Sequence, residues 1–127
     1  MKYLLDTHVI IWLAKGSDEL PQNIKELIED HANDIYVCSI SLWEIAIKMN
    51  LGKLDLKLPL DKLLLDIKAG GFNVLQIGDS HLVKLLDLPY IHKDPFDRLI
   101  ISTAIVEEMT LITIDENIHK YDVPWVW

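Results

Sequence analysis

The apolar positions of the chain follow two alternating patterns: short continuous runs, and longer stretches in which apolar residues recur every three or four positions. Such runs are typical of buried strands, and such stretches are typical of amphipathic helices. The predicted strands are residues 2–5, 34–38, 72–77, 110–114 and 123–127. The predicted helices are residues 9–13, 22–31, 39–51, 60–69, 79–88 and 96–109.

Glycine and proline residues mark several of the predicted helix ends. Pro21 precedes the second helix, Gly52 ends the third, and Gly70 with Gly71 ends the fourth. Parallel strands need long crossover connections, which helices commonly supply. The alternation therefore predicts the α/β class, a three-layer α/β/α sandwich with a central parallel sheet. Because 127 residues is the usual size of one domain, residues 1–127 are expected to form a single domain.

Cysteine content and hydropathy add an expected compartment. The single cysteine, Cys38, lies in an apolar run and cannot form an internal disulfide, which favours a buried thiol and a reducing environment. No apolar run reaches the roughly 20 residues that a membrane-spanning helix requires, and Asp6 interrupts the N-terminal run. We therefore expect a cytoplasmic protein.

The net charge of −8 argues against a general nucleic-acid binder, because such proteins usually carry a basic surface that contacts phosphates. Divalent cations bound to a cluster of acids would weaken this objection. The segment 48–68 is locally basic, with five lysines against three aspartates. A solvated surface with paired charges is the favoured interpretation of this segment, and contact with a nucleic-acid backbone is the alternative.

Four acidic residues are candidates for a site at one edge of the predicted sheet. In a parallel sheet, the carboxyl ends of the strands and the first turns of the following helices share the edge where ligands bind. Asp6 ends the first predicted strand, and Asp115 ends a late one. Glu44 and Asp97 are expected in the first turns of two helices. The four carboxylates are therefore expected to lie near one another.

Each acid also has a purely structural interpretation. Asp6 could cap the helix that follows it, and Asp115 could be an ordinary turn residue. Glu44 could complete a capping box with Ser41. These structural roles do not exclude a functional site, because a carboxylate at a helix end is also held rigidly enough to bind a ligand.

Asp97 could likewise occupy the third position of a helix that Asp94 caps and Pro95 starts. What favours a site is the number of acids. Four carboxylates about 5 Å apart would repel by roughly 3 kcal/mol per pair at an effective dielectric near 20, so the cluster must bind protons or cations. Oxygen ligands without cysteine suit a hard ion, which makes Mg²⁺ or Mn²⁺ the expected occupant.

Four segments of the chain resemble the PIN-domain family, most closely the VapC-type toxins of bacterial toxin–antitoxin pairs. They occur in the order of the family and extend over nearly the whole chain: residues 3–8 (YLLDTH), 41–46 (SLWEIA), 92–98 (HKDPFDR) and 111–115 (LITID). A strand-end aspartate alone is a weak signal, because many α/β proteins have one. The four segments together are specific.

The resemblance implies a metal-dependent endoribonuclease, in which water activated by Mg²⁺ or Mn²⁺ hydrolyses a phosphodiester bond of RNA. In the family, the acids that match Asp6, Glu44 and Asp97 form the metal site. The acid that matches Asp115 is a more variable fourth member. The role of Asp94 stays open, with helix capping as the default.

The resemblance also implies partners. A toxin of this kind cleaves RNA and so inhibits translation and growth, and a small antitoxin inhibits it with an extended segment over the active-site groove. The family usually forms homodimers. The identity of the RNA is not implied, because shape and loops rather than the shared acids recognise folded RNA.

Other polar residues near these segments have local interpretations. Thr7 and Thr113 are expected to make local backbone contacts, with hydrogen bonds to the carboxylates or to a phosphate as the alternative. Arg98 could steer phosphate or neutralise the neighbouring acids. Hydrogen-bonded or solvent-facing roles are expected for three histidines whose spacing matches no zinc motif: His8, His92 and His119.

The tryptophans are expected to pack in the core. Trp12 and Trp43 fall among apolar helix positions. Trp125 and Trp127 alternate in the last predicted strand, so one face of that strand should carry both rings. A dimer contact is the alternative for that face.

Two other classes of protein compete with the nuclease. A phosphoacceptor receiver domain has a similar size and fold, but Asp6 has no acidic neighbour, and Cys38 and Ile77 stand where an acceptor aspartate would be needed. A non-catalytic binding module could keep the fold and use the acidic pocket for a protein partner. The intact set of acids weighs against that module.

Overall fold

The computed structural model describes residues 1–127. Its five strands are β1 (Lys2–Leu5), β2 (Asp34–Cys38), β3 (Asn73–Leu75), β4 (Thr110–Ile112) and β5 (Trp125–Val126). Its seven helices are α1 (Thr7–Lys15), α2 (Gln22–Glu29), α3 (Ser39–Asn50), α4 (Leu60–Ala69), α5 (Asp79–Asp87), α6 (Pro95–Val106) and α7 (Glu116–His119). None of the helices is both long enough and apolar enough to cross a membrane.

The strands form one parallel sheet in the order β3-β2-β1-β4-β5. The central strand is β1, where Leu5 is in register with Val37 of β2 and Ile112 of β4. The carboxyl ends of all five strands therefore lie at the same edge of the sheet. The predicted α/β class with a central parallel sheet is confirmed.

Each face of the sheet has its own apolar core, because successive side chains of a strand point to opposite faces. Leu5 belongs to a core of 14 buried residues on the face covered by α1 to α4, and Leu4 belongs to a core of 11 on the face of α6 and α7. Complete burial of one leucine or isoleucine stabilises a fold by about 1.5–3 kcal/mol. The two cores thus hold the helices on the sheet, and Cys38 is buried in the second core as predicted.

Several elements begin or end away from their predicted bounds. Helix α1 begins at Thr7 and ends at Lys15, where Gly16 adopts the left-handed conformation with φ of 61°. Helix α6 ends at Val106, because Glu108 has a φ of 55°, which an α-helix does not allow. Strand β4 ends two residues earlier than predicted. Strands β3 and β5 are also shorter than predicted, since each lies at an edge of the sheet and pairs with one neighbour only.

The predictions for the tryptophans are partly wrong. Trp12 is half-buried against the first core, and its ring lies 5.8 Å from that of Trp127. Trp43 is not a core residue, because 59% of its surface is exposed. Trp125 stacks on His119 of α7 at 3.4 Å, whereas Trp127 follows the strand and contacts α1. The last two rings therefore lie on opposite faces of the sheet.

Three lysines of the basic segment 48–68 are engaged in ion pairs. The pairs are Lys48 with Glu44, Lys57 with Asp55, and Lys62 with Asp66, at N–O distances of 2.9, 3.0 and 2.8 Å. The paired-charge interpretation of the segment is confirmed for these lysines.

Candidate active site

Two of the four acids stand at the carboxyl ends of neighbouring strands, as predicted. Asp6 directly follows β1 and caps α1, where its Oδ1 accepts a hydrogen bond from the backbone N–H of Thr7 at 2.7 Å. Asp115 comes after β4 and caps α7, where its Oδ1 accepts from the N–H of Asn117 at 2.8 Å. A cap residue is held by the backbone of the helix that it starts, so both carboxylates have fixed positions.

The hydroxyl of Thr113 links these two acids. Its Oγ1 donates to Asp6 Oδ2 at 2.8 Å and accepts from the N–H of Asp115 at 3.0 Å. Thr113 thus makes both the local contact that was expected and the carboxylate contact that was the alternative. The expectation for Thr7 is wrong, because its hydroxyl donates to Ser41 Oγ at 2.9 Å and ties α1 to α3.

Glu44 differs from its predicted setting. It is the sixth residue of α3, in the second turn, because the helix begins at Ser39 immediately after β2. No capping box forms, since the Ser41 hydroxyl contacts Thr7 instead. Glu44 Oε2 pairs with Lys48 at 2.9 Å, and its Oε1 is buried without any hydrogen-bond partner. A buried carboxylate oxygen without a partner is energetically costly, so this atom is suited to accept a cation.

Asp97 occupies the third position of α6, as predicted. Asp94 caps the helix by accepting from the N–H groups of Phe96 and Asp97 at 2.9 and 3.1 Å, and Pro95 is the first helical residue. Asp97 is only 8% exposed. Its short side chain is therefore held at the start of α6, close enough to Asp6 to be affected by its charge.

The four acids share one electrostatic environment. Burial, followed by the charges of neighbouring acids, raises the pKa of Asp97 to about 8; the acids concerned are Asp6, Asp94, Asp115 and Glu44. Burial also raises the pKa of Asp6, although the hydrogen bond from Thr113 opposes the shift. Carboxyl groups with raised pKa values are typical of sites that take up protons or metal ions.

A histidine contacts Asp97 from the loop before α6. His92 Nε2 lies 3.1 Å from Asp97 Oδ2, and His92 Nδ1 lies 2.8 Å from the hydroxyl of Tyr121. The Tyr121 oxygen already accepts from the N–H of His92 at 3.2 Å and from Nη1 of Arg98 at 3.0 Å. Both lone pairs of the oxygen are used, so its own hydrogen is donated to Nδ1. The neutral ring therefore carries its hydrogen on Nε2 and donates it to Asp97.

Neither proposed role of Arg98 is correct. Arg98 is buried, and its Nη1 also donates to the carbonyl of Pro89 at 2.9 Å. Its guanidinium lies over the ring of Tyr90, 4.5 Å from the centroid, and it forms no ion pair with the acids. Arg98 instead joins the loop before α6 to the hydroxyl of Tyr121.

Residues 3–124 match the PIN domain family. The chain belongs to the PIN domain family. It is 30% identical over 122 residues to Ribonuclease VapC22 of Mycobacterium tuberculosis (strain ATCC 25618 / H37Rv), an alignment that covers 95% of this chain and 92% of the relative. The resemblance that the four sequence segments predicted is confirmed.

Solved structures share the fold of this PIN domain at lower sequence identity. VapBC2 from Rickettsia felis, bound to a DNA fragment from their promoter, has a TM-score of 0.74 and 22% identity, covering 100% of this chain and 99% of that one. VapBC-1 from nontypeable Haemophilus influenzae has a TM-score of 0.74 and 21% identity, covering 99% and 97%. A toxin-antitoxin complex from Klebsiella pneumoniae has a TM-score of 0.68 and 17% identity, covering 98% and 96%.

The four acids of this PIN domain have the kind of donor atoms that a hard divalent cation binds. Their donors are carboxylate oxygens, the ligands that Mg²⁺ and Mn²⁺ prefer. The unpartnered Glu44 Oε1 and the raised pKa of Asp97 both indicate an excess of negative charge. No three acidic or histidine side chains converge closely enough to hold one ion between them as they stand. The donor set thus fits the ion by the chemistry of its oxygens and not by a ready-made arrangement around one point.

Sequence reasoning missed the residues that orient Asp97. His92 lies in one of the four family-like segments, but no sequence pattern connects it to Tyr121, which is 29 positions away. Their contact depends on α7 and the following turn, which pack on the same face of the sheet as α6. The other histidines behave as expected: His119 Nε2 donates to the carbonyl of Thr113 at 2.8 Å, and His8 is exposed beside Trp12.

Tyr121→Phe is expected to weaken Mn²⁺ binding by about 10-fold, because partners that orient metal ligands commonly contribute this much. The variant removes the donor that keeps the His92 hydrogen on Nε2, while Arg98 keeps its bond to Pro89. Calorimetric Mn²⁺ titration measures the affinity, and ¹⁵N NMR of the metal-free protein measures the tautomer. Tyr90→Phe is the matched control, since the Tyr90 hydroxyl makes no hydrogen bond to this network. Unchanged affinity and an unchanged tautomer in Tyr121→Phe would contradict the inferred positioning.

Proposed function

We propose that residues 1–127 form a single-domain endoribonuclease that uses Mg²⁺ or Mn²⁺ to hydrolyse phosphodiester bonds of RNA, and that it is the toxin of a toxin–antitoxin pair. The observation that carries this proposal is the clustering of the acids at one sheet edge, with Glu44 Oε1 buried and unpartnered. The similarity to Ribonuclease VapC22 over 95% of the chain supports the choice of RNA as substrate.

Each acid has a part that follows from its setting. Asp6 and Asp97, at 1% and 8% exposure, would hold an ion where bulk water is largely excluded. Glu44 would contribute Oε1, and Asp115 would act from the more accessible rim. Asp97 must release its proton before it can bind a cation, because only the carboxylate is a ligand.

A bound divalent ion lowers the pKa of a coordinated water and stabilises negative charge on phosphate and leaving oxygens. The protein's own contribution is to orient its ligands. Thr113 and the Thr7 N–H fix the two oxygens of Asp6, and His92 fixes Asp97 Oδ2 and leaves Asp97 Oδ1 available. Both acids are held before substrate arrives, which lowers the reorganisation that the reaction requires.

The proposal includes a small antitoxin as partner. Clustered carboxylates would attract a basic side chain of an inhibitor segment lying over the site. Sharing the fold of a toxin-antitoxin complex is consistent with such a partner. Co-expression with the product of the adjacent gene, followed by purification and an RNA cleavage assay, tests whether that product binds and inhibits the chain.

The proposal also includes a homodimer. Helix α5 exposes Leu82, Val83 and Leu86, with exposed fractions of 50%, 62% and 86%. Leu86 lies four residues after Leu82 and three after Val83, which places its side chain beside both of theirs on the helix, and exposed apolar faces of this kind are common at interfaces. Sedimentation equilibrium distinguishes a dimer from the 14.6 kDa chain.

Purified, antitoxin-free protein is expected to cut total cellular RNA into discrete fragments with Mg²⁺ or Mn²⁺ and to cut nothing in EDTA. The Asp6→Asn variant is expected to give no fragments under either condition, because the buried ligand is lost. Gel electrophoresis and end mapping identify the fragments, and circular dichroism verifies folding. A folded wild-type protein that cleaves no RNA with any divalent ion would favour the non-catalytic binding module.

A further inference from the structure

An exposed aromatic pair flanks the candidate active site. Trp43 precedes Glu44 on α3, and Phe96 precedes Asp97 on α6. Their ring centroids lie 5.6 Å apart with an interplanar angle of 66°, an edge-to-face contact between the two helices. Consecutive Cα atoms are only 3.8 Å apart. Each ring therefore belongs to the residue next to an acid, and the pair joins the two helices that carry Glu44 and Asp97.

Core packing does not account for Trp43. The side chain belongs to neither apolar core and is 59% exposed, although tryptophan is highly buried in most proteins. In an edge-to-face pair, the contact uses the edge of one ring and one face of the other. Trp43 therefore keeps at least one face of its indole ring free. Phe96, which is half-buried, supports the indole from the α6 side.

The charge of the protein limits how it could bind RNA. The chain has 20 acidic against 12 basic side chains, a net charge of −8, and three lysines of segment 48–68 are paired to acids, so the surface as a whole does not attract phosphates. Stacking of a base on an aromatic ring needs no positive charge and accepts any base. Stacking beside this acidic site would therefore supply affinity that repulsion between the acids and the phosphates does not oppose.

We propose that Trp43, supported by Phe96, is a stacking platform for one unpaired nucleobase next to the phosphate that is cleaved. The inference rests on the proposed ribonuclease function and adds a residue that binds the substrate beside the acids. A base inside a duplex stacks on its neighbours and cannot reach the indole, whereas an unstacked base in a loop or end can. The platform thus selects single-stranded segments at the point of cleavage.

Binding without cleavage provides the first test. A short unstructured RNA of mixed sequence is titrated in EDTA, and affinity is measured by anisotropy of a label on the RNA. Trp43→Ala is expected to bind about 5- to 150-fold more weakly than wild type, the usual contribution of one stacked base. Trp43→Phe keeps an aromatic face and is expected to recover most of the affinity. Trp125→Ala is the matched control, because Trp125 is also exposed but stacks on His119 of α7 and makes no ring contact with α3 or α6.

A scan with abasic nucleotides locates the stacked base. One abasic position is expected to weaken binding to wild type and to have no further effect on Trp43→Ala, because two changes that remove the same contact are not additive. A blunt RNA duplex of the same sequence is expected to bind more weakly than the single strand. With Mg²⁺ or Mn²⁺ present, Trp43→Ala is expected to raise KM more than it lowers kcat.

Several outcomes would overturn the platform. One is equal RNA affinity and equal KM for wild type and Trp43→Ala; another is the failure of wild type to bind single-stranded RNA. Weakened binding of a protein inhibitor with unchanged RNA affinity would assign Trp43 to a protein contact instead. These results are distinct from a failure of the ribonuclease proposal. That proposal fails if the wild-type protein shows no metal-dependent cleavage of RNA, whatever the effect of Trp43→Ala on binding.

Discussion

The Asp97→Asn variant is expected to cleave RNA at least about 100-fold more slowly than wild type. Removing one well-placed group that stabilises charge in a transition state commonly has an effect of this size. The same variant is expected to unfold at a higher temperature than wild type in metal-free buffer at pH 8. The reason is that the Asp97 carboxylate is buried among other acids, which raises its pKa to about 8. Asparagine has a similar shape, can still accept the hydrogen bond from His92, and carries no charge.

The gain in stability is expected to be about 5 °C in Tm, which corresponds to roughly 1–2 kcal/mol for a domain of this size. Asp94→Asn is the matched control, because asparagine caps a helix about as well as aspartate and the change removes a charge from the same turn. This control should keep cleavage within a few-fold of wild type. Full cleavage by Asp97→Asn, or equal loss in both variants, would contradict the role assigned to Asp97.

Mn²⁺ at 100 times its dissociation constant is expected to raise the Tm of the wild type by about 10 °C at pH 8, from a binding contribution of about 2.7 kcal/mol. The ion relieves the repulsion among the acids and occupies Glu44 Oε1, which has no partner without it. Asp97→Asn should show a much smaller shift. Differential scanning fluorimetry across a Mn²⁺ titration measures both proteins under the same conditions.

The effect of pH on this shift follows from the direction of the pKa changes. The folded-state pKa of Asp97 is about 8, above its ordinary 3.8, so the folded protein binds this proton more tightly than the unfolded chain. The contribution of Asp97 to stability therefore falls as pH rises from about 4 to about 8 and is level above that. The raised pKa of Asp6 acts in the same direction.

Because protons compete with the ion, the Mn²⁺ shift should grow between pH 5 and about pH 8. In metal-free buffer, the Tm difference between Asp97→Asn and wild type should grow over the same range. A Mn²⁺ shift that is independent of pH, or equal in the wild type and Asp97→Asn, would show that the ion binds elsewhere.

The amino-acid sequence by itself determined the class of fold and the edge where the acids lie. Periodicity is a local property, so the alternation of apolar runs and helical stretches predicted the parallel sheet. Capping is local too, which is why the helix start at Asp94 and Pro95, and with it the place of Asp97, was predicted correctly. Asp6 follows β1 directly, so its position at the carboxyl edge needed no information beyond the strand itself.

Glu44 and Trp43 show where local patterns were insufficient. The start of α3 at Ser39 was predicted, and it places Glu44 in the second turn, but the capping box with Ser41 fails because the Ser41 hydroxyl contacts Thr7 from a distant part of the chain. The apolar positions of α3 suggested a buried Trp43. Only the packing of α3 against α1 and α6 determines which of these side chains face the cores and which face solvent.

Contacts between distant residues were decided by the tertiary structure alone. Thr113 reaches Asp6 across 107 positions because β4 pairs with β1, and Tyr121 reaches His92 because α7 packs beside α6. Hydrogen bonds within a helix or at its cap join neighbours in sequence, so a pattern can reveal them. The bonds that orient the acids join segments that only the assembled sheet and its two cores bring within reach.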